Sequence, residues 1–194
     1  LGAIASAVEV LQRVQGDAAL AANARQIIAR QTRHLARLMD DLLDVGRVVS
    51  GKVLLHRRPL DLATLVRHVC AAFDVTGESK RHPLQLQLDA VWAEVDATRM
   101  EQVLTNLLGN AFKYTPAGRE VRVHLRREGS RALLDVCDRG DGIAASLLPH
   151  VFDLFVQGER PLDRRAGGLG IGLTLVRRLA ELHDGEVSVR SSEQ

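Results

Sequence analysis

Three stretches of the sequence gather residue types suited to phosphate, cation or amine recognition. The first is GGLGIGLTLVRRLAELHDG, Gly167 to Gly185, with four glycines in its first six residues and a regular amphipathic helical pattern directly behind them. Glycine is the poorest ordinary helix former, so crowding it at a helix start needs a reason. The unpaired N–H groups of a first helical turn, at the positive end of the dipole, favour an anion. Missing β-carbons let phosphate oxygens come close to the main chain. The preceding VQGERPLDRRAGG, with Arg160, Arg164 and Arg165, reads as a polar flexible loop and not as a strand, which argues against a dinucleotide-binding βαβ fingerprint. No GxxxxGK[ST] run occurs either. Taken alone, the glycine run fits a flexible helix start as well as it fits a phosphate site.

The second stretch is EQVLTNLLGNAFKYTP, residues 101–116. Leu104, Leu107, Leu108 and Phe112 make an apolar helical face. Asn106 and Asn110 lie four apart, one turn from each other on one side, with Lys113 a turn further on. Asparagine is locally unfavourable inside a helix. An amide oxygen is a hard ligand suited to Mg²⁺, a cation that takes its remaining ligands from water and phosphate. The competing reading is a pair of ordinary solvent-facing asparagines. The third stretch is CDRGDGIA, residues 137–144, where Asp138 ends an alternating strand and Gly140 and Gly142 force a turn. A carboxylate held there could accept a hydrogen bond from an exocyclic amine; equally, it could cap its own turn.

Elements must exist to hold these stretches. LGAIASAVEVLQRVQ (1–15) places Ile4, Val8, Leu11 and Val14 on one helical face, and Gly16-Asp17 breaks the pattern. From Ala18 to Val49, Ile28, Leu35, Leu42 and Val49 recur every seven residues, with Leu38 and Val45 between them and Gln31 as a polar lapse. This predicts an antiparallel helical hairpin that cannot bury its apolar stripes alone, and a four-helix bundle of two chains solves that economically. The alternative is packing against the same chain's second domain. After Gly51, KVLLH predicts a short strand and RRPLDL a turn, with Asp61 capping a helix to about Phe73. PLQLQLDA (83–90) alternates as a strand, with VWAEVD (91–96) as its hairpin partner. A helix over 97–113, strands at 120–128 and 131–138, a helix over 168–183 and a strand at 186–190 complete an α+β layer, with helices on one face of one mainly antiparallel sheet.

Composition narrows the function classes. The 194 residues are 46% hydrophobic and 26% charged, with net charge +2, and suit one domain or two small ones. Only 3% are aromatic and no basic stripe is present, which argues against a nucleic-acid binder. Cys70 and Cys137 have neither disulfide-framework nor CxxC spacing, which fits a reducing, cytoplasmic setting. No apolar run approaches the roughly 20 residues of a membrane span, so no direct membrane contact is expected. The chain opens at Leu1 already in helical register, the pattern of an excised piece of a longer protein, in which any membrane anchor would lie upstream.

In this order, the segments resemble the catalytic core of a bacterial two-component sensor histidine kinase. NLLGNAFKYTP is similar to that family's N box, DRGDGI to its G1 box, VFDLFVQG to its F box and GGLGIGL to its G2 box. RQTRHLARLMDDLLDVGRVVSGKVLLHRRPLDL resembles the dimerisation and phosphotransfer hairpin with its connection onward. The resemblance implies a hairpin over residues 1–52, half of a dimeric four-helix bundle, and an ATP-binding Bergerat-type α/β sandwich over 53–194 that lacks its last strand. It implies ATP and Mg²⁺ as cofactors. Asn110 would ligate the metal with Asn106 beside it, Lys113 would meet phosphate, and Tyr114 would pack near ribose or base. Asp138 would receive the adenine amino group, with Gly140, Gly142 and Ile143 shaping the pocket. Phe152 and Phe155 would anchor the hinge of a lid over about 156–167 that includes Arg165. Gly168, Leu169, Gly170, Ile171, Gly172, Leu173 and Thr174 would lie against the triphosphate.

The resemblance further implies a homodimer and a response-regulator receiver domain as partner. Leu1-Gly-Ala-Ile is similar to the residues just after the family's acceptor histidine. None of the seven histidines replaces that residue, so this piece is expected to bind Mg-ATP without phosphorylating itself. Two rivals remain. One is a related ATPase, whose general-base glutamate would stand at the position of Asn106, which cannot take a proton. The other is a degenerate kinase serving as a dimeric scaffold.

Overall fold

The computed structural model describes residues 2–13, 17–49, 54–77, 79–158 and 169–191. They divide into two compact units, Leu1–Gly46 and Arg47–Gln194. The first holds α1 (Gly2–Arg13) and most of α2 (Ala18–Val49). Asp17 caps α2, its carboxylate accepting from the N–H groups of Ala19 and Leu20 at 3.0 Å each. Ala7 and Ala24 are buried, whereas Met39 and Leu43, one turn apart on α2, are more than half exposed. No helix among the described residues is long and apolar enough to cross a membrane.

The second unit runs β1 (Arg58–Asp61), α3 (Leu62–Thr76), β2 (Leu84–Leu88), β3 (Trp92–Val95), α4 (Ala97–Tyr114), β4 (Val121–Glu128), β5 (Arg131–Asp138) and α5 (Gly172–Leu182), with single 3₁₀ turns at Ser79–Arg81 and Leu148–His150. Asp61 caps α3, accepting from Ala63 N–H, and Gly77 closes the helix in the left-handed region at φ 79°. β4 is the central strand of a three-stranded sheet, parallel to β2 and antiparallel to β5. A parallel neighbour requires a crossover, and β3 with α4 supplies it. β1 and β3 form a separate antiparallel pair.

Period-two alternation sends Val121, Val123 and Leu125 of β4 inward, each with no measurable exposure. Leu65, Val66, Val69 and Cys70 of α3 meet Leu104, Leu108, Ala111 and Phe112 of α4 over that face. Fully burying one such leucine contributes about 1.5–3 kcal/mol. Arg122, His124 and Arg126 point the other way, and Arg126 pairs with Asp135 and Glu128. The result is a two-layer arrangement with helices on one side.

Several sequence expectations are corrected. Leu54–Arg57 forms no strand, and the strand falls at Arg58–Asp61, where the sequence predicts a turn. β2 and β3 are not a hairpin. Asp89 N–H instead donates to Leu125 O at 2.9 Å and Val91 O accepts from Leu62 N–H at 3.0 Å, which steers β3 away toward β1. Strands therefore make two sheets, not one. Residues 186–190 form no strand among the described residues. Glu186 is tied to Arg131 at 2.9 Å, and Ser191, just beyond, accepts through Oγ from Ile143 N–H at 2.8 Å. The last helix begins at Gly172, not at 168.

Candidate functional site

Helix α4 is the spine of the site. Asp96 caps it by accepting from Arg99 N–H at 3.2 Å, and its apolar side is buried in the core. Asn106, Asn110 and Tyr114 occur at successive four-residue steps along another side. Asn106 is half-buried, and its amide donates to Gln102 O at 3.0 Å. Asn110 is half-buried too, and among the described residues no hydrogen bond engages its side-chain amide. Lys113 is exposed, its ammonium 5.0 Å from the centre of the Tyr114 ring, itself 43% exposed.

Two glycine turns close on the two ends of this stripe. At Gly140 a β-carbon would lie 2.6 Å from Asp138 Oδ1 and 2.7 Å from Tyr114 O, so only glycine fits. Asp138, exposed at the end of β5, accepts from Gly140 N–H at 2.8 Å, and its carboxylate therefore does cap its own turn. Gly142 has φ 77°, and Ile143 is half-buried with its N–H held by Ser191. At the other end, a β-carbon on Gly172 would lie 2.5 Å from Asn106 Oδ1. Asn110 thus stands between the two turns.

The start of α5 completes the arrangement. Gly170 has φ 70°, and a β-carbon there would lie 2.7 Å from Val156 O. Its carbonyl accepts from Phe155 N–H at 3.1 Å. Phe155 is 61% exposed and left-handed at φ 64°, while Phe152 and Leu169 are partly exposed. Within the protein, then, glycine at 170 and 172 serves close approach of one backbone or side chain to another. Ile171, fully buried, stands at the N-cap with no side-chain hydrogen bond to the first turn. The N–H groups of Gly172, Leu173 and Thr174 belong to that turn and have no partner within an α-helix. Thr174 is 7% exposed, and among the described residues its hydroxyl has no hydrogen-bond partner. Arg165 and Gly168 lie outside the described residues.

One neighbour escaped the sequence reading. Thr115, directly after Tyr114, is 6% exposed, and its hydroxyl too has no partner among the described residues. A hydroxyl at the end of a polar helical stripe was the available signal. Among the described residues no cluster of three or more His, Cys, Asp or Glu side chains could hold a metal. A cation here would rely on an amide oxygen and on a ligand's own oxygens.

Comparison with known proteins places the chain in a family. The family model for histidine kinase-, DNA gyrase B- and HSP90-like ATPases matches residues 95–194. The probable sensor histidine kinase TcrY of Mycobacterium tuberculosis is 35% identical over 192 residues, covering 99% of this chain and 40% of the relative. The alginate biosynthesis sensor protein KinB of Pseudomonas aeruginosa is 34% identical over 168 residues, covering 86% of this chain and 28% of the relative. The chain therefore spans less than half the length of these relatives. Among solved structures, full-length ShkA in complex with AMPPNP superposes with a TM-score of 0.68 at 25% identity, over 93% of this chain and 37% of that one. The Acinetobacter baumannii histidine kinase AdeS shares the fold at a TM-score of 0.68 and 22% identity, over 92% of this chain and 81% of that one. With the glycine turns, the asparagine helix and the mixed sheet in the order the resemblance requires, the chain belongs to the histidine kinase-, DNA gyrase B- and HSP90-like ATPase family.

Proposed function

We propose that the Arg47–Gln194 unit binds Mg-ATP, and that it is the nucleotide-binding core of a sensor histidine kinase. In the longer protein the γ-phosphoryl group passes to a histidine and from there to an aspartate of a response regulator. The observation that carries the reading is Asn110 on α4, with its amide unengaged among the described residues, between the Gly140 turn and the glycine-rich start of α5. The residues fit the cofactors. Asn110 would hold Mg²⁺, with Asn106 next to it and Lys113 toward phosphate. The uncapped first turn of α5 and the orphaned Thr174 hydroxyl suit phosphate oxygens. Asp138 and Tyr114 would take the adenine end, and Arg165 would approach from the lid. Bound Mg²⁺ would supply charge neutralisation for phosphoryl transfer, and the protein's share is positioning.

The kinase reading is preferred to direct hydrolysis because Asn106, whose amide is committed to Gln102 O, offers no base. The exposed Met39 and Leu43 on α2 support pairing with a second copy through the helical unit. Calorimetry with AMPPNP tests the site: Mg²⁺-dependent binding is expected, and Asn110→Ala is expected to abolish most of it. Equal affinity in the two proteins defeats the assignment. With labelled ATP, no stable phosphohistidine is expected within residues 1–194.

A further inference from the structure

Helices α4 and α5 pack side by side and antiparallel, and they are fastened at both ends. At the nucleotide end, Asn106 Oδ1 meets Gly172 with no room for a β-carbon. At the opposite end, Asp96 N–H donates to His183 Nε2 at 3.1 Å, while His183 Nδ1 faces Leu179 O at 2.7 Å. These partners fix His183 as the neutral tautomer with its proton on Nδ1. Into this far end comes the segment after α2. His56 N–H donates to Asp96 Oδ2 at 2.9 Å. Arg57 reaches the end of α5, donating to Leu182 O at 2.5 Å and to Asp184 Oδ2 at 2.7 Å. Leu182 ends α5, so its carbonyl has no partner within the helix, and a cation there also opposes the negative end of the dipole. One dipeptide, His56-Arg57, therefore holds the far ends of both helices that form the nucleotide cleft.

We infer that Arg57 is a positioning residue: it sets the alignment of α5 against α4, and with it the seating of Gly172 on Asn106, from the segment just before β1. The inference rests on the nucleotide-site reading. A helix of 11 residues is a rod of about 16 Å at 1.5 Å per residue, so a small tilt at Leu182 reaches Gly172 undiminished. The Asn106 amide is held by its hydrogen bond to Gln102 O, so a shift of Gly172 changes how closely the two approach. The exposed Asp184 contributes little by charge alone, with its side chain 79% accessible, so the carbonyl of Leu182 is the main anchor.

The test compares wild type, Arg57→Ala, Arg57→Lys and Asn110→Ala by two readouts. The first is amide hydrogen exchange without nucleotide at Leu173–Val176 and at Val123 in the central strand. The second is the Kd for AMPPNP with Mg²⁺. Arg57→Ala is expected to speed exchange at Leu173–Val176 but not at Val123, and to weaken AMPPNP about fivefold, a modest coupling between distant groups. Arg57→Lys, which keeps the charge and one donor to Leu182 O, is expected to recover most of both. Asn110→Ala should lose nucleotide with unchanged exchange. If Arg57→Ala alters exchange only at His183–Gly185, or speeds it equally at Val123, the residue is a local cap or a stability element and the inference falls. If wild type binds no AMPPNP, the site reading fails, while the exchange at Leu173–Val176 still decides whether Arg57 aligns α5.

Discussion

Gly170 and Gly118 share a backbone geometry and differ in surroundings, so substituting each by alanine separates conformational strain from crowding. Gly170 has φ 70° and Gly118 φ 85°, both in the left-handed region. A side chain there costs about 1–2 kcal/mol. At Gly118 a β-carbon meets nothing within 4 Å, so that strain is the whole expected effect. At Gly170 the β-carbon would lie 2.7 Å from Val156 O, 3.0 Å from Phe155 C and 3.1 Å from Val156 N. All three are backbone atoms and cannot rotate away, so overpacking adds about 1–3 kcal/mol. Gly170→Ala should therefore lower stability by about 2–5 kcal/mol and Gly118→Ala by about 1–2 kcal/mol. The assay is amide exchange at Leu108 and Val123, both fully buried, whose opening reports on the Arg47–Gln194 unit and not on the helical one. Equal losses in the two variants would refute the crowding argument. A loss confined to Gly118→Ala would refute the geometry altogether.

Three further outcomes concern single groups. Burial pushes the Asp96 carboxyl up, but the N–H groups of His56, Arg99 and Thr98, with the charge of Arg99, outweigh it and hold the pKa below its ordinary value near 3.8. A lowered folded-state pKa contributes stability above pH 3.8 that is lost as pH falls through the folded value, so Asp96→Asn should flatten the acid limb of a stability–pH curve below about pH 4. Burial, with Asp74 adding, raises the Cys70 thiol to about 11, while Cys137 is exposed. At pH 8 a thiol reagent should label one cysteine per folded chain, Cys137, and reach Cys70 only on unfolding, as mass spectrometry of the labelled peptides will show. Thr174→Val should leave stability unchanged or raise it slightly, because the hydroxyl it removes is buried without a partner, yet should weaken AMPPNP, measured by calorimetry.

The helices other than the start of α5 were largely legible in the sequence because helix-forming information is local. The apolar face of 104, 107, 108 and 112 places α4 at 97–113, one residue short of its observed end. The asparagine stripe was legible for the same reason, since a four-residue step has one geometric meaning. Strand pairing was not. Alternation in LQLQL tells which side chains share a face, but not that β2 would lie beside β4, far along the chain, and not beside β3, its neighbour. The glycines were visible as a cluster, while the contacts that demand them, Val156 against Gly170 and Asn106 against Gly172, join distant segments. The same holds for His56, Asp96 and His183, which no local pattern links.

The parallel pairing of β2 with β4 gives α4 a second duty. Two strands running the same way can be joined only by carrying the chain back over one face of the sheet, and α4 makes most of that return journey. The middle strand can pair locally with β5 as a hairpin, whereas its pairing with β2 must also close the long loop that contains α4 and is the costlier contact to make. Mutations that unwind α4 would therefore disturb both the return path between the two parallel strands and the core face that α4 lays on the sheet.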